Sequence, residues 1–411
     1  MKIAFFADCY LDMTGGIVSS INAVKAELER MGHTVYIFST GFPRSKEARF
    51  MLAKKHIYQV PSCRLFFRGL APISRRPAII ERWLLENFPE LKDFDIFHAH
   101  YEAGCSTAGM RLGKKLNIPV VQTMHGREDI GETKIIPYGL KSFVAANINW
   151  FHSWYLPHTK KIQKDQYLAD GFAKAKMWTL MVNHANYADI VLTPSLHFKR
   201  KLEHYGVDKK IVVVPNAVKD ELITKNNTAK KLKVGEDLKI IWHSRVSEEK
   251  RIMPFLRALK MVGDGYEMRV YGGGGDYYRA RRFAKNNHMK VSFYNTSPFE
   301  KVQRAMDWAD LDVLVSYNFD TFGMTLIEAE AKGLPVLICD PDLKEVVPKG
   351  GYKLAVGPEP DKMAKAIKEL IDNPEQIEIM SKVMLENRDE IKQSRRIQKL
   401  IDVYEKIRRN K

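Results

Sequence analysis

Cysteine is scarce in this sequence, and long apolar runs are missing from it. The 411 residues include four cysteines, at positions 9, 63, 105 and 339, and none belongs to a C-x-x-C pair. Such scattered cysteines argue against a disulfide framework or a zinc site and are typical of a reduced, cytoplasmic protein. No segment reaches the ~20 apolar residues that span a bilayer. Residues 1–8 acquire charge too early for a signal peptide, and we expect a first strand there.

Acidic residues are outnumbered, and one stretch lacks them altogether. Lys and Arg number 66 against 49 Asp and Glu, which gives a net charge of +17. Residues 51–80 contain no acid and six basic side chains, at positions 54, 55, 64, 68, 75 and 76. Such a patch suits a phosphate-bearing ligand, an anionic membrane or nucleic acid, and it is also compatible with a merely basic surface.

The common phosphate-binding signatures are absent as well. Gly272–Gly275 follows a predicted strand, but the chain has no G-x-x-x-x-G-K-[ST] and no G-x-G-x-x-G after its first strand. This argues against P-loop and dinucleotide sites. Two Asp-x-Asp pairs, at 93/95 and 310/312, come where predicted strands begin rather than at their carboxyl ends. We interpret both pairs as strand beginnings and predict no metal site.

Strand and helix patterns alternate along the whole chain. Strand-like runs occur at 2–7, 34–39, 96–99, 120–124 and 190–193, and again at 239–243, 268–271, 291–294, 313–316 and 335–339. Such alternation predicts α/β units whose parallel sheets are covered on both faces. The two series meet near residues 215–219, and the tail is predicted to form two charged helices. We expect ligands at the carboxyl ends of the strands, in a cleft between the units.

The segment from Asp320 to Pro335 is the strongest constellation of candidate site residues. Gly323 falls where a helix is predicted to begin, and the backbone N–H groups of a helix N-terminus suit a diphosphate. Glu328 lies about a turn and a half further on, where its carboxylate can accept from two vicinal hydroxyls, as on a ribose. Glu330 points elsewhere, so only one of these acids can face a ligand. A solvated acid at the helix edge is the alternative interpretation of Glu328.

A second constellation contains two cations. Arg245 and Lys250 flank one predicted strand-to-helix turn. Two cations beside a helix start suit a diphosphate leaving group. An ion pair of Arg245 with Glu248 or Glu249 is the structural alternative, and the two roles can coexist.

Weaker signals come from glycines and histidines at predicted strand ends. Gly15 and Gly16 follow the first strand, where their backbone can approach a phosphate or a sugar. His98 and His100 end one strand and His125 another. His125 is a candidate sugar contact, with a purely structural role as the alternative.

Together these motifs resemble glycosyltransferase family 4. The resemblance covers nearly the whole chain and depends most on Arg245 with Lys250 and on residues 320–335. It implies the GT-B fold, with two Rossmann-like parallel-sheet domains facing a cleft. Residues 1–215 are then an acceptor-binding domain and residues 216–391 a nucleotide-sugar-binding domain. A helix at about 392–411 is expected to pack back on the first.

The resemblance also implies a chemistry. It is retaining transfer of a hexose from a nucleotide sugar, with UDP-glucose as first candidate and with no catalytic metal or other cofactor. Asp320 stands where the family has a Glu, whose side chain is one methylene longer and contacts the sugar hydroxyls. The implied catalytic set is His125, Arg245, Lys250 and Asp320. The implied donor-binding set is Gly15, Gly16, Arg245, Lys250, Asp320, Phe322, Gly323, Met324, Thr325 and Glu328, in which Glu328 holds the ribose.

The acceptor is predicted from basic and aromatic segments of the first domain. They contain Arg64, Arg68, Arg75, Arg76, Trp150, Trp154, Lys160 and Lys161. Aromatic side chains beside lysines are typical of an anionic membrane interface, and an aromatic core stripe with a basic flank is the alternative. Residues 127–129 and 320–325 also resemble glucolipid synthases that glycosylate diacylglycerol. We therefore expect a membrane-lipid acceptor at the inner face of the cell membrane.

Three other functions are weighed against this one. A transferase of the same fold could act on a soluble or polyprenyl-linked glycan, and a sugar-nucleotide epimerase shares the architecture. The pairing of Arg245 and Lys250 with Asp320 and Glu328 favours transfer over epimerisation. A nucleic-acid binder is suggested by charge alone, but the chain has no recognised module for one, and we expect no nucleic-acid partner.

Overall fold

The computed structural model describes residues 1–9, 16–41, 52–63, 73–130 and 140–409. It divides into two compact units, Met1–Pro215 with Ile397–Lys411, and Asn216–Arg396. Each unit is an α/β layer structure around its own parallel sheet, so the prediction of two parallel-sheet units is confirmed. No helix among the described residues combines the length and the apolar character needed to cross a membrane.

The first unit is built on seven parallel strands. They are β1 (Lys2–Ala7), β2 (Thr34–Ser39), β3 (Ile57–Gln59), β6 (Ile96–Ala99), β7 (Val120–Thr123), β8 (Ile190–Thr193) and β9 (Ile211–Val213), beside a two-stranded ribbon of β4 (Ser62–Cys63) and β5 (Ile73–Ser74). The order across the main sheet is β3-β2-β1-β6-β7-β8-β9. Its helices are α1 (Gly16–Arg30), α2 (Pro77–Asn87), α3 (Gly104–Lys115), α4 (Lys141–Ser153), α5 (Phe172–Tyr187) and α6 (Leu196–His204).

Strand β1 shows why the first unit folds in layers. Ile3 and Phe5 belong to the core on one face of the sheet, and Ala4 and Phe6 to the core on the other. Successive side chains of a strand point to opposite faces, so a strand covered on both sides has to be apolar throughout. The continuous apolar run at residues 3–7 meets this requirement.

The second unit is built on six parallel strands. They are β10 (Leu238–Trp242), β11 (Tyr266–Val270), β12 (Val291–Phe293), β13 (Leu311–Leu314), β14 (Val336–Ile338) and β15 (Tyr352–Leu354), in the order β12-β11-β10-β13-β14-β15. Its helices are α7 (Ile252–Val262), α8 (Tyr277–Asn286), α9 (Phe299–Trp308), α10 (Met324–Ala331), α11 (Pro360–Asp372) and α12 (Glu375–Asn387). The strand β13 begins two residues earlier than predicted, because Leu311 pairs with Ile240 of β10.

The last helix, α13 (Gln393–Arg409), runs from the second unit into the first. Its residues Ile397, Leu400, Ile401 and Tyr404 join the core on the β1 face. Tyr404 is fully buried there, and its hydroxyl lies 2.6 Å from His98 Nδ1. The end of the chain thereby completes the core of the unit in which the chain begins.

Candidate active site

In the second unit, the strand order reverses between β10 and β13. These two strands pair side by side, whereas the strands that follow each of them lie on opposite sides. Ligands of open α/β sheets bind outside the carboxyl ends of the strands at such a reversal. The chain leaves β10 towards Arg245 and Lys250, and it leaves β13 towards Asp320 and α10. Both predicted constellations therefore begin at this point of the sheet.

Lys250 and Asp320 form an ion pair. Lys250 is buried at the end of a 3₁₀ turn, and its Nζ lies 2.7 Å from Asp320 Oδ1 and 2.9 Å from Oδ2. The Ser316 hydroxyl also donates to this carboxylate. The sequence analysis assigned Lys250 to the diphosphate and Asp320 to the sugar. The structure brings the two together, so a diphosphate at Lys250 would compete with Asp320 for the ammonium group.

Arg245 is exposed and has an ion-pair partner. The exposed fraction of its side chain is 66%, and its Nη2 lies 3.3 Å from Glu249 Oε1. Glu249 also accepts a hydrogen bond from Ser247 Oγ at 2.5 Å. The pairing that the sequence left open thus forms with Glu249. Because the guanidinium end of this pair is exposed, solvent screens the contact, and the guanidinium is able to turn to an anion.

The N-terminus of α10 offers backbone donors and one hydroxyl. Gly323 precedes the helix at φ +76°, and a Cβ there would lie 2.7 Å from Leu314 Cδ2. Thr325 Oγ1 is buried and has no hydrogen-bond partner among the described residues. Phe322 and Met324 pack their side chains against the apolar core of this unit. Phe322 is buried, so the contribution of that position to a ligand is restricted to its backbone, whereas Met324 is partly buried.

Glu328 and Glu330 have different surroundings on α10. The exposed fraction of the Glu328 side chain is 20%, and its Oε2 lies 3.5 Å from His243 Nδ1. Burial raises the pKa of Glu328, and the nearby His243 opposes this shift. Glu330 is buried, which raises its pKa to about 7. Of the two acids, Glu328 is the one with a side chain accessible to a ligand.

His243 and Asp312 are site residues that the sequence analysis did not single out. His243 directly follows β10, and its Nε2 lies 3.0 Å from Oδ2 of Asp312 on β13. Burial lowers the pKa of His243, but the carboxylates of Asp312 and Glu328 outweigh burial, so the pKa is above its usual value. A histidine directly after a buried strand and next to Arg245 was the signal in the sequence that pointed here.

Three of the four residues in the Asp-x-Asp pairs lie at or just before the start of a strand, whereas Asp312 lies inside one. Asp95 and Asp310 accept the backbone N–H of Lys2 and Lys239 at 2.7 and 3.0 Å, respectively. They lie at the start of strands, as predicted, and Asp93 ends a 3₁₀ turn just before one. Asp312 lies inside β13 and is completely buried. The interpretation of Asp312 as a strand beginning is therefore wrong, because the strand already begins at Leu311.

The glycine run 272–275 supports the loop that carries Arg245. A Cβ on Gly272 would lie 2.1 Å from the Ser244 carbonyl oxygen, and one on Gly274 would lie 2.3 Å from that of Val246. Val246 N–H donates to Gly273 O at 2.9 Å. Glycine is needed here because the two backbones pack directly against each other. The glycine run therefore has a structural role, because it allows the backbones of the two loops to pack against each other.

Three histidines of the first unit, His98, His100 and His125, form one cluster. His98 Nε2 lies 2.6 Å from Thr123 Oγ1, and His100 Nδ1 lies 3.0 Å from His125 Nε2. Burial lowers the pKa of all three rings, that of His125 to about 4. His125 is therefore neutral around pH 7. A neutral imidazole is able to donate one hydrogen bond to a sugar, while the role of His125 there remains a prediction.

Arg127 and Asp129, which follow His125, form a buried ion pair. Arg127 Nη2 lies 2.5 Å and Nε 3.1 Å from the two Asp129 oxygens. The guanidinium also lies 5.7 Å from the centre of the Trp178 ring. These contacts give both residues a structural role in the core.

The aromatic residues predicted for the acceptor surface are exposed on α4 and just after it. The exposed fractions of Trp150 and Trp154 are 58% and 56%. Their rings pack edge to face, with 4.4 Å between the ring centroids. Phe143 and Leu140 near the start of α4 are exposed as well. This excludes the core-stripe interpretation for the two tryptophans.

The remaining predicted residues differ in their solvent exposure. Arg75, Arg76 and Lys161 are exposed, Lys160 is partly buried, and Gly16 is the exposed first residue of α1. Gly15, Arg64 and Arg68 lie outside the described residues.

Comparison with protein families covers nearly the whole chain. The family described as Glycosyltransferase Family 4 matches residues 14–222, and the one described as Glycosyl transferases group 1 matches residues 224–386. The boundary between the two matches lies close to the boundary between the two units. The chain belongs to Glycosyltransferase Family 4, and it is a glycosyltransferase.

Two curated relatives have the same description. An alpha-monoglucosyldiacylglycerol synthase of Acholeplasma laidlawii is 22% identical over 397 residues, which is 93% of this chain and 91% of the relative. One of Streptococcus pneumoniae is 24% identical over 358 residues, which is 82% of this chain and 70% of the relative. The chain is thus similar to glycolipid synthases over most of its length.

Solved structures with the same fold are glycosyltransferases of the GT-B type. Anabaena HepE in complex with UDP and glucose is 15% identical with a TM-score of 0.70, over 99% of this chain and all of that one. TarM is 13% identical with a TM-score of 0.70, over 98% of each chain. The predicted GT-B fold with two Rossmann-like units is confirmed.

Proposed function

We propose that the protein transfers a hexose from a nucleotide sugar to a membrane lipid, with diacylglycerol as first acceptor and UDP-glucose as first donor. The observation that carries the proposal is the presence of Lys250, Asp320 and Glu328 at the carboxyl ends of β10 and β13. The similarity to two alpha-monoglucosyldiacylglycerol synthases supports the choice of acceptor, and HepE with bound UDP and glucose supports the donor.

The donor is bound, in this proposal, by three kinds of group in the second unit. The N-terminus of α10 supplies backbone N–H groups and the Thr325 hydroxyl for a phosphate. Lys250 and Arg245 supply positive charge, and Glu328 accepts the ribose hydroxyls. An anion at a helix N-terminus is stabilised by about 0.3–1 kcal/mol, and charge-assisted hydrogen bonds add to this. Domain 216–391 is then the nucleotide-sugar-binding domain.

The reaction proceeds with retention of anomeric configuration. The bond between the sugar C1 and the diphosphate oxygen breaks, and the acceptor oxygen bonds to C1 from the same face. The acceptor oxygen itself bonds to C1, so no protein nucleophile is required, and the acceptor proton passes to the departing phosphate oxygen. Lys250 and Arg245 stabilise the charge that develops on the diphosphate. His125 and Asp320 contact the sugar, and a divalent metal ion is not required because the two cations and α10 take its role.

The acceptor is bound by the first unit, residues 1–215, at a membrane surface. Trp150 and Trp154 expose large amphipathic rings on and just after α4, and Lys160 and Lys161 follow them. Such rings prefer the headgroup region of a bilayer, and each lysine near an anionic surface contributes about 1 kcal/mol. The protein then acts as a peripheral protein at the inner face of the cell membrane.

Two measurements test the function. Purified protein is incubated with labelled UDP-, GDP- and ADP-sugars, with diacylglycerol vesicles or with a soluble glycan acceptor, in buffer with and without EDTA. We expect a glycolipid with an α-linked hexose from a UDP-sugar, at the same rate in EDTA. Transfer to the soluble glycan alone contradicts the lipid acceptor, and an inverted anomer by NMR contradicts retention. Flotation with anionic vesicles tests membrane binding separately.

A further inference from the structure

A row of three polar side chains connects the centre of the second sheet with the carboxylate assigned to the ribose. It consists of Asp312, His243 and Glu328, and we call it the Asp–His–Glu row. We propose that His243 is a positioning residue, which holds the Glu328 carboxylate ionised and aimed at the ribose hydroxyls of the donor, with Asp312 as its anchor. This inference rests on the proposed function, because it uses Glu328 as the ribose ligand.

The hydrogen bonds of the row determine where the protons lie. Asp312 Oδ1 accepts the backbone N–H of Val313 at 2.8 Å, and its Oδ2 lies 3.0 Å from His243 Nε2. A carboxylate accepts hydrogen bonds, so Nε2 carries a proton. His243 Nδ1 then faces Glu328 Oε2 at 3.5 Å. A neutral ring would direct its lone pair at this carboxylate, whereas a protonated ring presents an N–H to it.

Burial strengthens the electrostatic interactions within the Asp–His–Glu row. The exposed fraction of the His243 side chain is 3%, and Asp312 is completely buried. Among the described residues, His243 is the one ion-pair partner within 4 Å of the Glu328 carboxylate. At 3.5 Å this contact is longer than the usual ~2.7–3.2 Å of an N–H···O hydrogen bond and is mainly electrostatic. In such a site an unpaired carboxylate tends to take up a proton, and His243 opposes this.

Three charged groups face His243. They are Asp312 on β13, Glu328 on α10 and Lys250 on the 3₁₀ turn. Two carboxylates against one ammonium group favour the protonated imidazole, and the pKa of His243 is raised in spite of burial. Raising the pH therefore removes the proton that faces Glu328. We expect recognition of the ribose to weaken as His243 loses this proton.

The test compares two ligands that differ only in the ribose hydroxyls. Calorimetry on the full chain measures the binding of UDP and of 2′,3′-dideoxy-UDP to the wild type and to His243→Gln. The glutamine amide reaches the position of Nε2 and keeps the bond to Asp312, but it removes the group that faces Glu328. We expect the wild type to prefer UDP by about 30-fold. In H243Q this preference is expected to fall by about fivefold or more, while dideoxy-UDP binds as before.

The pH dependence of the same ratio provides a second measurement, which needs no variant. Titration of the phosphate and the base affects both ligands equally and cancels in the ratio. In the wild type we expect the preference for UDP to decline as the pH is raised above about 6.5, the ordinary pKa of histidine. In H243Q we expect no such decline, and a rise with pH there would report the ionisation of the unpaired Glu328. His243→Asn, whose amide reaches the Nδ1 position, is expected to restore part of the preference. A merely structural role of His243 would weaken both ligands alike.

Glu328→Ala separates the two possible failures. If E328A loses the preference and H243Q keeps it with the pH dependence of the wild type, the role of His243 is overturned and the ribose site stands. If E328A keeps the preference for UDP, the ribose assignment itself fails and the inference fails with it. Asp312→Asn is expected to act like H243Q, with Asp310→Asn, at the start of the same strand, as the matched control.

Discussion

At the residue scale, the two candidate diphosphate-binding cations of the second unit each form an ion pair. Lys250 is held by Asp320, and Arg245 by Glu249. Each cation therefore has a protein partner, and for Lys250 this limits the cost of keeping positive charge at a buried position. A diphosphate that replaces these carboxylates gains two cations that are already in place. These ion pairs favour a site in which a bound diphosphate takes the place of the protein carboxylates.

Glu328→Ala is expected to weaken donor binding by about 2–3 kcal/mol, because the two ribose hydroxyls lose a partly buried acceptor. Donor KM and UDP affinity measure this effect. Glu330→Gln is the matched control, since Glu330 lies two residues further along α10 and is buried. Equal donor affinity in E328A and E330Q would contradict the assignment.

Lys250→Met is expected to lower kcat by about 10²–10³-fold, because the ammonium no longer stabilises the charge on the leaving diphosphate. Steady-state kinetics at saturating donor measure kcat. Lys290→Met serves as control, because Lys290 forms an exposed ion pair with Asp237 at 3.0 Å elsewhere in the same unit. A kcat within threefold of the wild type in K250M would rule out this role.

At the element scale, the loop that carries Arg245 depends on packing against the loop that follows the neighbouring strand. The loop after β11 contains Gly272–Gly275, and it packs directly against the backbone of residues 244–246 after β10. The position of Arg245 is therefore determined by a neighbouring strand's loop as much as by its own. This is a general property of sites at the ends of parallel strands, where several short loops meet.

Gly272→Ala is expected to destabilise the protein by about 1–3 kcal/mol, because the new Cβ would lie 2.1 Å from the Ser244 carbonyl oxygen. Thermal unfolding gives the change. Gly275→Ala is the matched control, since a Cβ there meets nothing within 4 Å. Similar melting temperatures for G272A and G275A would show that the loops do not need this close approach.

Helix α4 and the residues after it provide the other test at this scale. Trp150→Ala with Trp154→Ala is expected to reduce binding to anionic vesicles by about tenfold, because two exposed aromatic rings leave the interface. Flotation or fluorescence titration measures this. Tyr278→Ala on α8 is the control, since Tyr278 is exposed on the second unit. If vesicle binding is unchanged in the tryptophan variant, the membrane proposal fails while the transferase assignment stands.

At the scale of the whole molecule, the two units are expected to respond to acid in opposite directions. Burial lowers the pKa of His152 to about 4 and that of His184 to about 3 in the first unit. These rings stay neutral when folded and take up protons when unfolded, so their contribution is complete above about pH 6.5 and is lost on acidification. In the second unit, burial raises the pKa of Glu330 to about 7, so acid relieves an unfavourable buried charge.

Lowering the pH from 7 to 5 is therefore expected to cost the first unit about 1–2 kcal/mol per buried histidine, while the second unit is stabilised. Scanning calorimetry at pH 5, 6 and 7 resolves the two transitions. Glu330→Gln removes this ionisable group and serves as control, because it should reduce the gain of the second unit, to which the raised pKa values of Glu328 and His243 also contribute. Two transitions that both stay constant between pH 7 and 5 would contradict this prediction.

Much of the fold could be predicted from local pattern. The strands at 2–7, 34–39, 96–99 and 190–193 have the predicted bounds, because runs of buried apolar residues bounded by loops specify a strand locally. The short strands β3 and β15 were missed, since three partly buried residues have no distinct period. The site was predicted in so far as Lys250, Asp320 and Glu328 lie on loops or helices that follow β10 and β13.

The sequence by itself determined the alternation of strands and helices, the point at which one unit follows the other, and the family, because these depend on residues close together in the chain. The tertiary structure alone decided which side chains meet. His243 and Asp312 are 69 residues apart, and they touch because β10 and β13 pair in a specific register. It also decided that Trp150 and Trp154 are exposed while Phe322 is buried. Pairing and burial depend on long-range packing, which no local pattern of residues specifies.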